Sequence, residues 1–112
     1  SRGARLAFVE LPPVLPKGCA VPARPTALNC QPAAADDRSQ EPYNVLLRRV
    51  ARRMPRVSAI SITDIVCPGG SCQWAIDGIT LRADGLHFTD KGSRWLAPKF
   101  LERLTAAGLD PG

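Results

Sequence analysis

The sequence predicts an α/β domain organised on a parallel sheet, and two observations carry that prediction. An apolar run of strand length, Arg5–Leu11, and a β-branched run, Val57–Ile62, bracket a stretch with helical periodicity, so the order is strand, helix, strand. Parallel strands cannot be joined by a tight turn, and the intervening helix is the right-handed crossover such a pair requires. The scale is set by length: 112 residues with 45% hydrophobic and 5% aromatic residues hold one small domain with one modest core. Charged residues at 22% and a net charge of +5 speak against disorder. No apolar run approaches the roughly 18–20 residues of a membrane span. The chain starts at Ser1 without a basic-then-apolar leader, which reads as a cut end, with any targeting signal removed or lying outside it.

Each element has its own local cause. The first strand is interrupted by Glu10 and stopped by Pro12-Pro13, which leaves its functional edge at the C-terminal end. From Pro12 to about Ala35 the chain is proline-rich and aperiodic, and an ordered loop of that length needs a staple or a job. Asp36 and Asp37 then offer caps for a helix running to about Met54, with Pro42 suited to its first turn. Tyr43, Leu46, Leu47, Val50 and Met54 mark its apolar face. Arg48, Arg49, Arg52 and Arg53, with Arg56 just beyond Pro55, fall on the other side. That cluster reads as a solvated face opposing the negative end of the helix dipole. It lacks an aromatic platform or a base-reading motif, so no nucleic-acid partner is expected.

After the second strand, Cys67-Pro-Gly-Gly-Ser-Cys72 forms a tight loop, and Asp77-Gly78 between Trp74/Ile76 and Ile79/Leu81 signals a hairpin. A last helix is expected from about Asp90 to Ala107, capped by Thr89 or Asp90, ended at Gly108, and kinked or split at Pro98. A unit with only two parallel strands leaves sheet edges and one face without cover, so an exposed apolar surface is also expected.

Four cysteines fall as two local pairs. Short loops close at the least entropic cost, which favours Cys19 with Cys30 and Cys67 with Cys72. Two disulfides would place the chain in an oxidising, extracytoplasmic compartment. Zinc is the rival reading, although the Cys67/Cys72 gap is at the wide end of finger spacings and the Cys19/Cys30 gap is outside them. Free buried thiols are the third.

The single histidine, His87, carries the chemistry. Asp84 stands three residues upstream, Gly85 lets the backbone between them turn, and the pair precedes a helix. A carboxylate so placed can take one imidazole N–H, select the tautomer and leave the other nitrogen as a general base. That is two thirds of a serine-hydrolase triad. By itself Asp-x-x-His is a weak signal, equally at home as a turn and a helix cap.

The wider phrase narrows the choice. Asp84-Gly-Leu-His87-Phe-Thr followed by Gly92-Ser-Arg-Trp95-Leu-Ala-Pro98 resembles the last conserved block of SGNH (GDSL-like) hydrolases. It is closest to the SGNH domains fused to bacterial acyltransferase-3 membrane modules, in which a Cys loop and a short hairpin precede that block, as Cys67–Cys72 and Asp77-Gly78 do here. The similarity is specific from about Val57 to Leu104, moderate from Arg5 to Leu11 and vague in the proline-rich loop. The resemblance implies a three-layer α/β/α, flavodoxin-like fold with His87 as catalytic base and Asp84 as its orienting carboxylate. It implies no cofactor and no metal. It further implies an acyl-ester or glycan substrate of the cell envelope, probed as esterase or O-acyltransferase chemistry, with the acyl group supplied from the membrane module.

One part of the family pattern does not occur. The Gly-Asp-Ser block with the nucleophile and the glycine and Gly-x-Asn-Asp blocks with the oxyanion donors are not found in these 112 residues. Ser71 sits in the Cys loop without a strand-to-helix elbow, Ser58 and Ser61 fall in a strand, Ser39 and Ser93 at helix starts, and Ser1 at the chain start. None is a credible nucleophile. The chain therefore reads as one domain, residues 1–112, forming the C-terminal portion of a larger SGNH hydrolase-like domain and inactive alone. The competing reading is a disulfide-stapled, secreted, non-catalytic binding module, with Trp74 and Trp95 as candidate contacts.

Overall fold

The computed structural model describes residues 4–16 and 30–109. Strand β1 (Leu6–Val9) and strand β2 (Val57–Ile60) pair in parallel, Leu6 opposite Val57 and Val9 opposite Ile60. Helix α1 (Glu41–Arg53) connects them and packs against β2. The strand–helix–strand expectation is therefore met, with both strands shorter than their apolar runs. A short helix, α2 (Thr63–Val66), follows β2 and leads into a 3-10 turn at Pro68–Gly70. Strands β3 (Ala75–Ile76) and β4 (Ile79–Thr80) form an antiparallel hairpin. Asp77 and Gly78 at its tip have φ of 56° and 75°, the two positive values that an Asp-Gly type I′ turn requires. Helix α3 (Asp90–Ala106) closes the described chain.

The start of α1 differs from expectation. Asp36 belongs to a 3-10 turn (Ala34–Asp36), and α1 starts after Gln40 without a side-chain cap. Asp37 is used elsewhere: one carboxylate oxygen accepts from the Val14 N–H at 2.7 Å and from the Ser39 hydroxyl at 2.9 Å. The carboxylate that sequence assigns to a helix end thus ties down the segment after β1.

Packing of α1 differs as well. Leu47 is buried, but the other fully buried position is Asn44, while Tyr43, Leu46 and Met54 are exposed. Leu11 explains the choice. Its N–H and C=O, at the end of β1, both bond the Asn44 amide at 2.8 Å, as a neighbouring strand would. Arg49, Arg52 and Arg53 are exposed as expected, but Arg48, one turn further along the same face as Asn44, is only partly so and is paired. It lies between Glu10 (2.7 Å) and Glu41. Glu10 is buried, and the guanidinium supplies the counter-charge that a buried carboxylate needs. Leu6 and Val9 of β1 are exposed too, so the expected uncovered apolar surface exists on both the strand and the helix.

The densest packing lies away from the parallel pair. Leu15, Val66, Cys67, Cys72 and Leu81 form the buried cluster, with Trp74, Ile76, Ile79, Phe88 and Trp95 packed around it. Cys67 and Cys72 are joined, S–S 2.05 Å. The downstream end of the proline-rich segment docks on this loop through an Ala33–Ser71 bridge and the Cys72 N–H to Pro32 carbonyl bond of 2.8 Å. Cys30 is also disulfide-bonded, and no described cysteine is free. Cys19, paired with Cys30 on sequence grounds, lies outside the described residues, as does most of the proline-rich loop. Helix α3 is continuous through Pro98, so of the expected kink or split the split does not occur. Its cap is Thr89, whose hydroxyl accepts from the Gly92 N–H at 2.9 Å and donates to the Thr80 carbonyl at 2.6 Å.

Candidate active site

Asp84 and His87 occupy the turn between β4 and α3. The segment Arg82-Ala-Asp84-Gly85 bends back on itself, the Gly85 N–H meeting the Arg82 carbonyl at 3.0 Å with Gly85 at φ +81°. Asp84 then shapes the next stretch: its Oδ1 accepts from the Leu86 N–H at 2.8 Å and from the His87 N–H at 2.7 Å. Oδ2 is left for the ring, 2.7 Å from His87 Nδ1. The short spacing seen in sequence is what allows one carboxylate to fix both the backbone and the imidazole.

The electrostatics follow from these contacts. The His87 ring, then the Leu86 and His87 N–H groups, hold the Asp84 carboxyl far below the usual carboxylate range. An ionised Asp84 is an acceptor only, so in a neutral His87 ring it favours the tautomer with the proton on Nδ1 and the lone pair on Nε2. The His87 side chain is 79% exposed. A base presented this way can take a proton from a group brought to it from solvent or from another chain segment.

The turn is joined to the segment that follows β1. Gly85 accepts from the Leu15 N–H at 2.9 Å, and Arg82 Nη1 donates to the Pro13 carbonyl at 2.6 Å. His87 is thereby attached to the chain emerging from the carboxyl end of β1, the edge at which open α/β sheets place their ligands. A polar cavity of about 330 Å³ lies at the same end, lined by Glu10, Asp37, Glu41, Asn44, Arg48 and Ser61 among others. A groove of about 550 Å³ runs along α3 past Asp64, Trp95 and Arg103. Neither includes Asp84 or His87, so the pair stands on an open face.

Ser58 lies in β2 and Ser93 in the first turn of α3, whereas Ser61, expected in the strand, falls just past its end, and Ser1 lies outside the described residues. Ser39 bonds Asp37, Ser61 accepts from the Thr63 N–H, and the Ser71 hydroxyl donates to the Gln31 carbonyl at 3.3 Å. Among the described residues none bonds His87. Trp95 is half-buried, donates from Nε1 to Asp77 at 2.9 Å and has Lys99 Nζ 4.4 Å from its ring centroid, while Trp74 packs on the core. Both tryptophans that a binding module would use are thus engaged within the fold. No group of three or more metal-ligating side chains is found among the described residues, and no described helix is long and apolar enough to cross a membrane.

Sequence reasoning passed over Arg82 and Leu15. Arg82 is buried to 1% exposure two residues before Asp84, a position whose burial has no signal in charge or periodicity.

Comparison with known proteins adds the family. A family model described as the SGNH domain fused to AT3 domains matches residues 1–102, covering β1, α1, β2, the disulfide loop, the hairpin and the Asp84–His87 turn. Searches of curated proteins and of solved structures found no match. With its parallel strand pair and crossover helix, the α/β fold accords with that family. The chain belongs to the SGNH domains fused to AT3 domains, and is an SGNH-type acyl esterase or acyltransferase domain.

Proposed function

We propose that Asp84 and His87 are the acid and base members of a Ser-His-Asp triad that cleaves or transfers an acyl ester, the serine being supplied by residues outside these 112. The observation that carries the reading is the 2.7 Å contact between His87 Nδ1 and Asp84 Oδ2 beside an otherwise exposed ring. In the reaction His87 Nε2 takes the proton of the serine hydroxyl as its Oγ bonds the acyl carbon. The same proton then passes to the departing alkoxide as the ester C–O bond breaks. A second hydroxyl, from water or from a sugar, attacks the acyl-serine and gives its proton to Nε2, which returns it to the serine as that bond breaks. Asp84 stays ionised throughout and stabilises the imidazolium.

The domain reads as the C-terminal portion of a larger SGNH domain. The exposed apolar residues of β1 and α1 support that reading, because Leu6, Val9, Tyr43, Leu46 and Met54 form surface a further layer would cover. The fusion partner of the family and the disulfides favour an extracytoplasmic site at the cell envelope, periplasmic in a two-membrane cell, with an acetyl-type ester of an envelope glycan as substrate.

The deciding experiment is an assay of the gene product that includes the coding sequence upstream of Ser1. Hydrolysis of p-nitrophenyl acetate that requires an upstream Gly-Asp-Ser serine and is lost in His87→Ala supports the triad. Turnover retained in His87→Ala overturns it.

A further inference from the structure

Arg82 is the group in this chain whose burial calls for an explanation. Its side chain is 1% exposed, yet of its guanidinium nitrogens only Nη1 has a described partner, the Pro13 carbonyl at 2.6 Å. Nε and Nη2 are buried without one. A Leu or Met in that place would avoid the desolvation of a cation and the two unmade hydrogen bonds. What the arginine alone provides is a reach across the fold. From the residue before Ala83-Asp84 it crosses to Pro13, 69 positions earlier in the chain, with its guanidinium carbon 5.7 Å from the centroid of Phe88, the residue after His87.

Among the described residues the Arg82–Pro13 hydrogen bond is one of two between residues 82–87 and the segment Pro12–Pro16. The other is the Leu15 N–H to Gly85 carbonyl bond. Asp84 and His87 are themselves exposed, and their mutual contacts are all local to the turn. Leu81 and Thr89 hold the two ends of the turn; without the two long-range ties its middle is free to relax, and the exposed Asp84–His87 contact, closed only within the turn, loosens with it. A misplacement of about 1 Å is enough to cost roughly a hundredfold in rate.

We propose that Arg82 is a positioning residue: it clamps the Pro12–Pro16 segment to the Asp84–His87 turn, by Nη1 on one side and by the Phe88 ring on the other, and so sets the orientation of the His87 imidazole. It touches no reacting atom and acts through the turn. This inference rests on the reading of His87 as the base.

His87 being the only histidine, nitrogen-15 NMR of its ring reads the tautomer directly, without any activity assay. Amide hydrogen exchange at Leu15 reports the clamp. In Arg82→Met the Leu15 amide should lose protection, and the ratio of Nδ1–H to Nε2–H tautomer should fall about fivefold, the worth of one ordinary hydrogen bond. Arg82→Lys keeps a cationic donor for Pro13 and should restore most of that ratio. Loss of Leu15 protection with an unchanged tautomer ratio would make Arg82 merely structural and overturn the proposal. If Arg82→Met does not fold, Arg82→Lys decides: a folded protein with wild-type ratio supports the clamp, and a folded protein with the ratio lost refutes it. Asp84→Asn separates the two levels of inference. A wild-type ratio in that variant removes the Asp–His reading itself, whatever Arg82 does.

Discussion

Gly85 and Leu15 meet backbone to backbone: the Leu15 N–H donates to the Gly85 carbonyl at 2.9 Å, and a Cβ on Gly85 would lie 2.0 Å from the Leu15 carbonyl oxygen. The closeness is possible because Gly85 has no side chain and holds φ at +81°. It couples residue 15 to the turn that carries His87, across most of the length of the chain.

Gly85→Ala should therefore be costly on two counts, the positive φ and the collision with main-chain atoms that cannot rotate aside. The expected loss is about 2–3 kcal/mol of stability, measurable as a lowered urea midpoint. A midpoint within error of the parent would mean that Leu15 and Gly85 separate freely in solution.

The Cys67–Cys72 disulfide closes a small loop whose sulfurs lie in the core. Cross-linking a loop of this size stabilises by about 2 kcal/mol through the unfolded chain, and replacing both cysteines by serine adds the burial of two hydroxyls. Cys67→Ala with Cys72→Ala should lower the urea midpoint by the smaller amount and the double serine variant by more. Thiol titration of the native chain should find no reactive cysteine before reduction.

Catalysis gives a sharper contrast. The 112 residues alone should not raise p-nitrophenyl acetate hydrolysis above background, because triad members work as a unit. In a protein that also contains the serine, Asp84→Asn should lower kcat by about 10⁴, since an amide that donates to Nδ1 favours the wrong tautomer. A steady-state comparison of the two variants, Asp84→Asn and His87→Ala, checks this, His87→Ala falling further because it removes the base itself.

Acid stability should follow from three carboxylates held below their ordinary range. His87 and two backbone N–H groups lower Asp84, and the Arg103 guanidinium lowers Asp64. Burial pushes Asp37 up, but the Val14 N–H and Ser39 together outweigh it. For each, the folded state binds fewer protons than the unfolded one at pH values just below the ordinary carboxylate range. Their contribution is complete above about pH 5 and is lost as the pH falls through about 4 and below. Urea midpoints measured from pH 7 to pH 2 should be flat at first and then fall, and Asp64→Asn should make the fall shallower.

Much of the site was legible because its causes are local. Asp84 binds the backbone of Leu86 and His87 and the ring of His87 within three residues, so spacing alone predicts the turn. The Asp77-Gly78 hairpin, the Thr89 cap and the Cys67–Cys72 loop are likewise short-range, and each was found where the sequence put it. The failures share the opposite cause. Asp37 has the residue type of a helix cap and the position of one, but the Val14 N–H, 23 residues away, needs an acceptor. Arg48 has the look of a solvated arginine until the buried Glu10, 38 residues earlier, is brought beside it. Leu46 and Met54 carry helical periodicity, yet a sheet of two strands has too little surface to cover that face.

By itself the sequence determined the strand–helix–strand order, the cysteine loop and the Asp84–His87 pair, because propensity, turn chemistry and near-neighbour hydrogen bonds act over a few residues. Only the tertiary structure decided where that pair stands: against Pro13 and Leu15 at the carboxyl end of β1, joined by a buried arginine and a glycine without a side chain. Those contacts depend on which backbone groups remain unsatisfied once the segments meet, and neither periodicity nor residue type carries that information.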